Sequence, residues 1–311
     1  MDRRPHLPRR LHNTSGGSPS RRRRLRDRLV LGAATLVAVV VGAAPAVGQS
    51  ISDGAPVSVP GPAAMVLSVS HHGQGRVVEA FGDISRARNI AVIVPGVGWT
   101  GPLLSDERGA GRRHPAVQAR SLLAEMQKRA PGTPAAVVVW LDYDAPAGLD
   151  ADAARSERAV AGAPRLAAFV DALPRTATVT VVCHSYGSVV CAYAAPRLDV
   201  ASMVVVGSPG MDVRTRAGLH TPATVWAGIA PDDPIGVVPH TRVNGFGHAV
   251  DPTDPGFGAR PLPVDGAHGH NGYLVAGTGS LRAIAQIATG HGAKVPAPAP
   301  QGGATAEPVL P

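Results

Sequence analysis

The sequence predicts an α/β chain: a three-layer sandwich with a mostly parallel central sheet and helices on both faces. Three observations carry that reading. Short β-branched runs bounded by Gly and Pro suit strands buried on both faces better than alternating, half-buried ones. Two such runs come first, and strands and helical patterns then alternate, the order that builds a covered parallel sheet. Apolar residues make up 44% of the 311 and charged ones 17%, enough to fill a substantial core.

Taken in order, the expected strands are 64–69, Arg76–Phe81, Asn89–Val94, Ala135–Leu141, 176–183, 203–206 and 224–229. The expected helices are Pro115–Arg129, 151–172, 187–195 and 278–289. One domain is expected from about residue 62 to 291, with no internal repeat. From residue 292 to 311 the chain is rich in Pro, Ala and Gly and reads as a flexible tail.

The net charge of +8 belongs to one end. Residues 1–28 hold ten Arg against Asp2 and Asp27, so the other 283 residues balance at 20 basic and 20 acidic groups. A nucleic-acid partner would need a basic face on the domain itself, and the balance argues against one. The Arg-rich run is followed by 24 uncharged residues ending at Ser52. Residues 29–48 combine an apolar stretch with small residues around Ala44, Ala46 and Gly48, which reads as a secretory signal. The alternative is an uncleaved anchor, since 29–47 is just long enough to span a bilayer with the Arg cluster on the cytoplasmic side. Either reading puts the domain outside the cytoplasmic membrane, secreted or held to its outer face. Ser20 to Arg26 also resembles a twin-arginine export motif, with Arg24 in place of the usual aromatic.

An exported chain with two cysteines permits one disulfide. Cys183 and Cys191 are only eight residues apart across an expected strand, turn and helix, so the reading here is free, buried thiols.

The chemistry concentrates where strand 176–183 runs into His184-Ser185-Tyr186-Gly187 and then a helix. This is the setting of a nucleophile elbow, in which a strained turn lifts Ser185 Oγ above the sheet. Small residues flank such a serine because strand and helix come close. Gly187 meets that need on the helix side, and Cys183 stands where a Gly is usual. A serine hydroxyl needs a base to take its proton, and the base needs a carboxylate to orient it. In this setting the acid and the histidine follow the serine in that order. Asp233, past the end of strand 224–229, is the chosen acid and Asp232 the fallback. For the base, His270 and His268 compete in one loop, and His270 is preferred because Gly-His-Asn-Gly-Tyr lies just ahead of the last helix. The oxyanion donors are the backbone N–H of Tyr186 and, from Pro95-Gly96-Val97-Gly98-Trp99, that of Val97. That glycine loop lacks the Lys and Ser/Thr of a phosphate loop. No metal signature accompanies His268-x-His270 or Asp142-x-Asp144, and the two aspartates read as loop residues near the pocket. His71, His72, His240 and His248 are expected to be exposed, and Trp99, Trp140 and Trp226 to be core or pocket wall.

Five segments together resemble an actinobacterial α/β-hydrolase family of unknown substrate: Cys183-His184-Ser185-Tyr186-Gly187-Ser188, Leu141 to Pro146, Gly207-Ser208-Pro209-Gly210, Ala230 to Ile235, and Asp251 to Arg260. The resemblance covers about 62–291 and implies the three-layer α/β-hydrolase fold and a Ser-Asp-His triad. The family's Gly-His-Ser-Gly-Tyr motif matches Gly269–Tyr273 and favours His270. Two departures stand out: Cys183 replaces the family's Gly, and the export segment stands where the family commonly has a long helical region.

The function expected is therefore serine hydrolysis of a carboxylic ester or lipid-like acyl substrate, with no cofactor. An acyltransferase on the same three residues and a catalytically silent binding protein of the same fold are the alternatives. The expected partners are a small-molecule or lipid ester and, through the N-terminal segment, a membrane.

Overall fold

The computed structural model describes residues 65–70, 75–106 and 111–297. The basic run 1–28, the export segment 29–48, and His71 and His72 lie outside these residues, and the C-terminal tail is described only as far as residue 297. Among the described residues no helix is long and apolar enough to cross a membrane.

Eight strands form one sheet in the order β1-β2-β4-β3-β5-β6-β7-β8. They are β1 (Met65–Ser70), β2 (Arg76–Phe81), β3 (Asn89–Val94), β4 (Ala135–Leu141), β5 (Thr178–His184), β6 (Ser202–Val206), β7 (Thr224–Gly228) and β8 (Arg260–Pro261). β2 pairs antiparallel with β1 and β4, and every pairing from β4 to β8 is parallel. Among the described residues the α-helices are α1 (Gly101–Ser105), α2 (Pro115–Arg129), α3 (Glu157–Asp171), α4 (Gly187–Ala194) and α5 (Gly279–Ala288). α2 packs against α5, and α3 against α4.

The continuous β-branched runs become central strands because both faces are covered. All six residues of β3 are buried, as are Val179 to Cys183 in β5. Each such aliphatic side chain contributes roughly 1.5–3 kcal/mol on leaving water. β2, β3, β4 and α2 have the bounds the sequence predicts. Two elements went unpredicted: the five-residue α1 and the two-residue β8, both too short to show a period. The pattern from residue 151 becomes helical only at Glu157, because the Asp150 carboxylate accepts from the Asp152 and Ala153 amides and turns the chain first.

The cysteines correct the expectation of free thiols: Cys183 and Cys191 are joined in a disulfide, both fully buried. Cys183 lies near the end of β5 and Cys191 in the second turn of α4, so the helix folding back over the elbow brings their Cα atoms to 6.3 Å, within bridging range. Closing this short loop stabilises the fold by about 2–3 kcal/mol.

Candidate active site

Ser185 sits between β5 and α4 with a φ of +53°, the left-handed conformation that costs a non-glycine residue energy and that an elbow imposes. Its amide donates to the Val206 carbonyl on β6. Gly187 is obligatory on the far side of the turn: a Cβ there would come within 2.2 Å of the Val94 carbonyl oxygen. Gly96 meets the same serine from the β3 loop, where a Cβ would be 2.5 Å from Ser185 Cβ and 3.0 Å from the Tyr186 amide nitrogen. The glycines thus let the β3 loop close over the elbow.

Around that serine the structure brings three predicted side chains together. His270 Nε2 lies 2.7 Å from Ser185 Oγ, and His270 Nδ1 lies 2.9 and 3.1 Å from the two oxygens of Asp233. A carboxylate can only accept, so Nδ1 carries the proton and Nε2 offers its lone pair to the serine. Asp233 caps the 3-10 turn Pro234–Val237 by accepting from the Ile235 amide at 2.9 Å, which fixes the carboxylate just beyond β7. Burial pushes the Asp233 carboxyl up. The His270 hydrogen bond and charge, with hydrogen bonds from Tyr273 and the Ile235 amide, together hold it below the ordinary range.

Asp232 and His268, the fallback pair, meet each other instead. His268 Nδ1 is 3.2 Å from Asp232 Oδ2 at the exposed surface, and the Gly269 amide also donates to Asp232. Neither side chain is hydrogen-bonded to Ser185. The Tyr186 and Val97 amides, expected as oxyanion donors, make no hydrogen bond among the described residues, whereas Gly98 gives its amide to Pro146. Tyr143 donates its hydroxyl to the Pro95 carbonyl at 2.7 Å and stacks on Tyr186, which braces the β3 loop from below.

Several residues around the site were not foreseen. His184, the residue before the serine, donates Nε2–H to the His270 carbonyl at 2.7 Å, and its ring lies 4.8 Å from that of His270. Burial and the neighbouring His270 push its imidazole down to about 4, so it stays neutral. Tyr273 places its hydroxyl 2.5 Å from Asp233 Oδ2. It was visible as the aromatic closing Gly-His-Asn-Gly-Tyr, and a buried tyrosine needs a partner for its hydroxyl. His248, expected at the surface, is buried against Asp212, and His240 is half-buried. Asp142 and Asp144 pair with Arg165 and Arg76 and do not line the pocket. Trp99, Trp140 and Trp226 are all buried.

A pocket adjoins the elbow through His184 and Pro95. Trp99, Pro115 and Leu274 supply apolar wall, and Arg113, Gln118 and Asn271 the polar groups.

Residues 71–243 match a protein family described as "Alpha/beta hydrolase". Two uncharacterized proteins of Mycobacterium tuberculosis, from strains CDC 1551 / Oshkosh and H37Rv, are 32% identical over 253 residues, which cover 71% of this chain. The chain spans 38% of the length of these relatives. Among solved structures, dienelactone hydrolase from Anabaena variabilis is similar at 18% identity, 74% of this chain, 97% of that one and a TM-score of 0.43. A serine hydrolase without lid from Xanthomonas campestris is similar at 15% identity, 75% of this chain, 95% of that one and a TM-score of 0.41. With more than half of its length matched and an eight-stranded, mostly parallel sheet behind the site, the chain belongs to the α/β-hydrolase family.

Proposed function

We propose that the protein is a serine hydrolase that cleaves a carboxylic ester or lipid-like acyl substrate through an acyl-enzyme on Ser185, His270 and Asp233. The observation that carries this is the continuous hydrogen-bonded line from Asp233 through His270 to Ser185 Oγ, with each contact at 2.7–2.9 Å. Geometry of this kind lets His270 take the serine proton as Oγ attacks the ester carbonyl. Asp233 holds the imidazole in the required tautomer and stabilises the imidazolium. The Tyr186 and Val97 amides, which make no hydrogen bond among the described residues, are the donors assigned to the oxyanion. His270 then returns the proton to the leaving alkoxide, which departs as an alcohol. Water repeats the cycle on the acyl-enzyme, releasing the acid and restoring Ser185.

The apolar wall of the adjoining pocket, from Trp99, Pro115 and Leu274, supports an acyl or alkyl group beside the scissile bond. Hydrolysis of p-nitrophenyl esters tests the reading: wild type should show a burst of one nitrophenolate per chain before steady turnover. No turnover on any acyl length, with the fold intact, would defeat it.

The same reading extends to place: we propose that the domain works outside the cytoplasmic membrane. Its support is the Arg-rich run before an uncharged stretch, together with a buried disulfide, a bond that persists in oxidising compartments. N-terminal sequencing of the mature protein should find a start near Gln49 for a cleaved signal. An intact N-terminus in the membrane fraction would mean an anchor, and an intact chain in the soluble cytoplasm would refute both.

A further inference from the structure

We infer that Tyr273 is a positioning residue for the proposed triad: its hydroxyl holds the second oxygen of Asp233, fixing the carboxylate and limiting how strongly it draws the proton of His270. This rests on the serine reading above and goes beyond it in assigning a fourth side chain to the site.

The direction of the hydrogen bonds is fixed by the donors present. The Ala230 amide donates to the Tyr273 oxygen at 2.9 Å, so the phenol's own proton is free to go only to Asp233 Oδ2, at 2.5 Å. Burial and the charge of Asp233 push the Tyr273 hydroxyl far up, so it stays protonated and remains a donor. Asp233 Oδ1 has the Ile235 amide and the nearer approach of His270 Nδ1, whereas Oδ2 has Tyr273 and the longer approach. Without the phenol, Oδ2 would keep only the 3.1 Å contact that it shares with Oδ1. Gly207 lies against the same cluster: a Cβ there would come 2.9 Å from Asp233 Oδ2, 3.1 Å from Tyr273 Cε2 and 3.3 Å from His270 Cε1, so a side chain at 207 would press on all three.

Two consequences follow. A carboxylate tethered at both oxygens keeps His270 aimed at Ser185. A carboxylate whose charge is shared with a phenol O–H also attracts the imidazolium less than a bare one. The groups in contact with His270 are Asp233 beyond β7, Ser185 in the elbow and His184 at the end of β5, whose ring also lies 6.1 Å from that of Tyr273. Asp232 is paired with His268 at the surface. Loss of the phenol proton therefore leaves Asp233 as the group whose pull changes.

Tyr273→Phe tests this in the full-length protein. Expected are a loss of about tenfold in kcat with KM unchanged, and an acid limb of the rate profile displaced upward by about half a pH unit. In the Asp233→Asn background the same substitution should cause no further loss. A merely structural tyrosine would lower thermal stability but leave the profile in place. A profile superimposable on that of wild type, or an equal loss in both backgrounds, would overturn the inference. The low-field resonance of the proton between His270 and Asp233 gives a readout that needs no turnover. In the Ser185→Ala protein it should move downfield on Tyr273→Phe, and an unmoved resonance would likewise overturn the inference. A wild type that hydrolyses no ester while this resonance still moves would instead fault the serine reading alone.

Discussion

Among the described residues two Asp–His pairs have buried side chains, Asp233–His270 and Asp212–His248, and the difference that matters for chemistry lies at the second histidine nitrogen. In both, histidine Nδ1 meets the carboxylate at 2.9–3.0 Å. In both the aspartate is held below its ordinary range: burial pushes it up, and the hydrogen bonds and charges of all its partners together outweigh that. At His270 the second nitrogen faces Ser185 Oγ. At His248 it donates to the Ala153 carbonyl at 2.8 Å and is thereby used up. Asp212 also receives Ser156, Tyr193 and Arg242, tying together the turn before α3, helix α4 and the loop around residue 242. A buried Asp–His pair is therefore no site in itself. It becomes one when the free nitrogen is offered to a group that can react.

That contrast makes predictions of unequal size. The largest is for Ser185→Ala, which should lower ester hydrolysis by about 10⁴-fold or more while the melting temperature stays near wild type. His270→Ala should be nearly as damaging, and His268→Ala should stay within a few-fold of wild type, because His268 faces only the exposed Asp232. A reversed ranking of these two histidine variants in the same ester assay would transfer the role of base to His268.

At the other pair the effect should fall on stability. Asp212→Ala strands His248 and Arg242 without their carboxylate, at a cost of about 3–5 kcal/mol. For a domain of this size that lowers the melting temperature by about 10 °C, with kcat at a permissive temperature little changed. A large drop in kcat at full stability would erase the distinction between the two pairs.

A smaller effect is expected from His184. Its folded value of about 4 lies below the ordinary 6.5, so the unfolded chain binds a proton that the native site refuses. Its contribution is fully present above pH 6.5 and is lost as the pH falls towards 4. The interval is worth about 3 kcal/mol. Denaturant unfolding at pH 7 and pH 4.5 should show a decline that His184→Gln reduces, and identical declines in the two proteins would remove His184 as the cause.

The fold and the serine–histidine–aspartate meeting were legible because each depends on local signals. The β-branched runs at Asn89–Val94 and Ala135–Leu141 mark strands, and a strand running into Ser185 and Gly187 marks an elbow. Asp233 and His270 could be ranked because chain order and loop context restrict the choice. The disulfide was not legible: eight residues of separation suggest a poor bridge, and only the fold-back of α4 over β5 brings the sulfurs together. Nor was the burial of His248, whose partners are 36 and 95 residues away. Tyr273 was in view as a residue of the histidine loop, but its bond to Asp233 spans 40 residues and depends on how two loops meet.

In the function proposed here, the nitrogen facing Ser185 separates the reactive Asp–His pair from the structural one. Labelling with a serine-directed fluorophosphonate, with the modified residue mapped by mass spectrometry, tests it most directly. A single label is expected on Ser185 in wild type and in folded His248→Ala, and none in Ser185→Ala or, on the same timescale, in His270→Ala. Undiminished labelling of His270→Ala, or a label on any other residue, would contradict it.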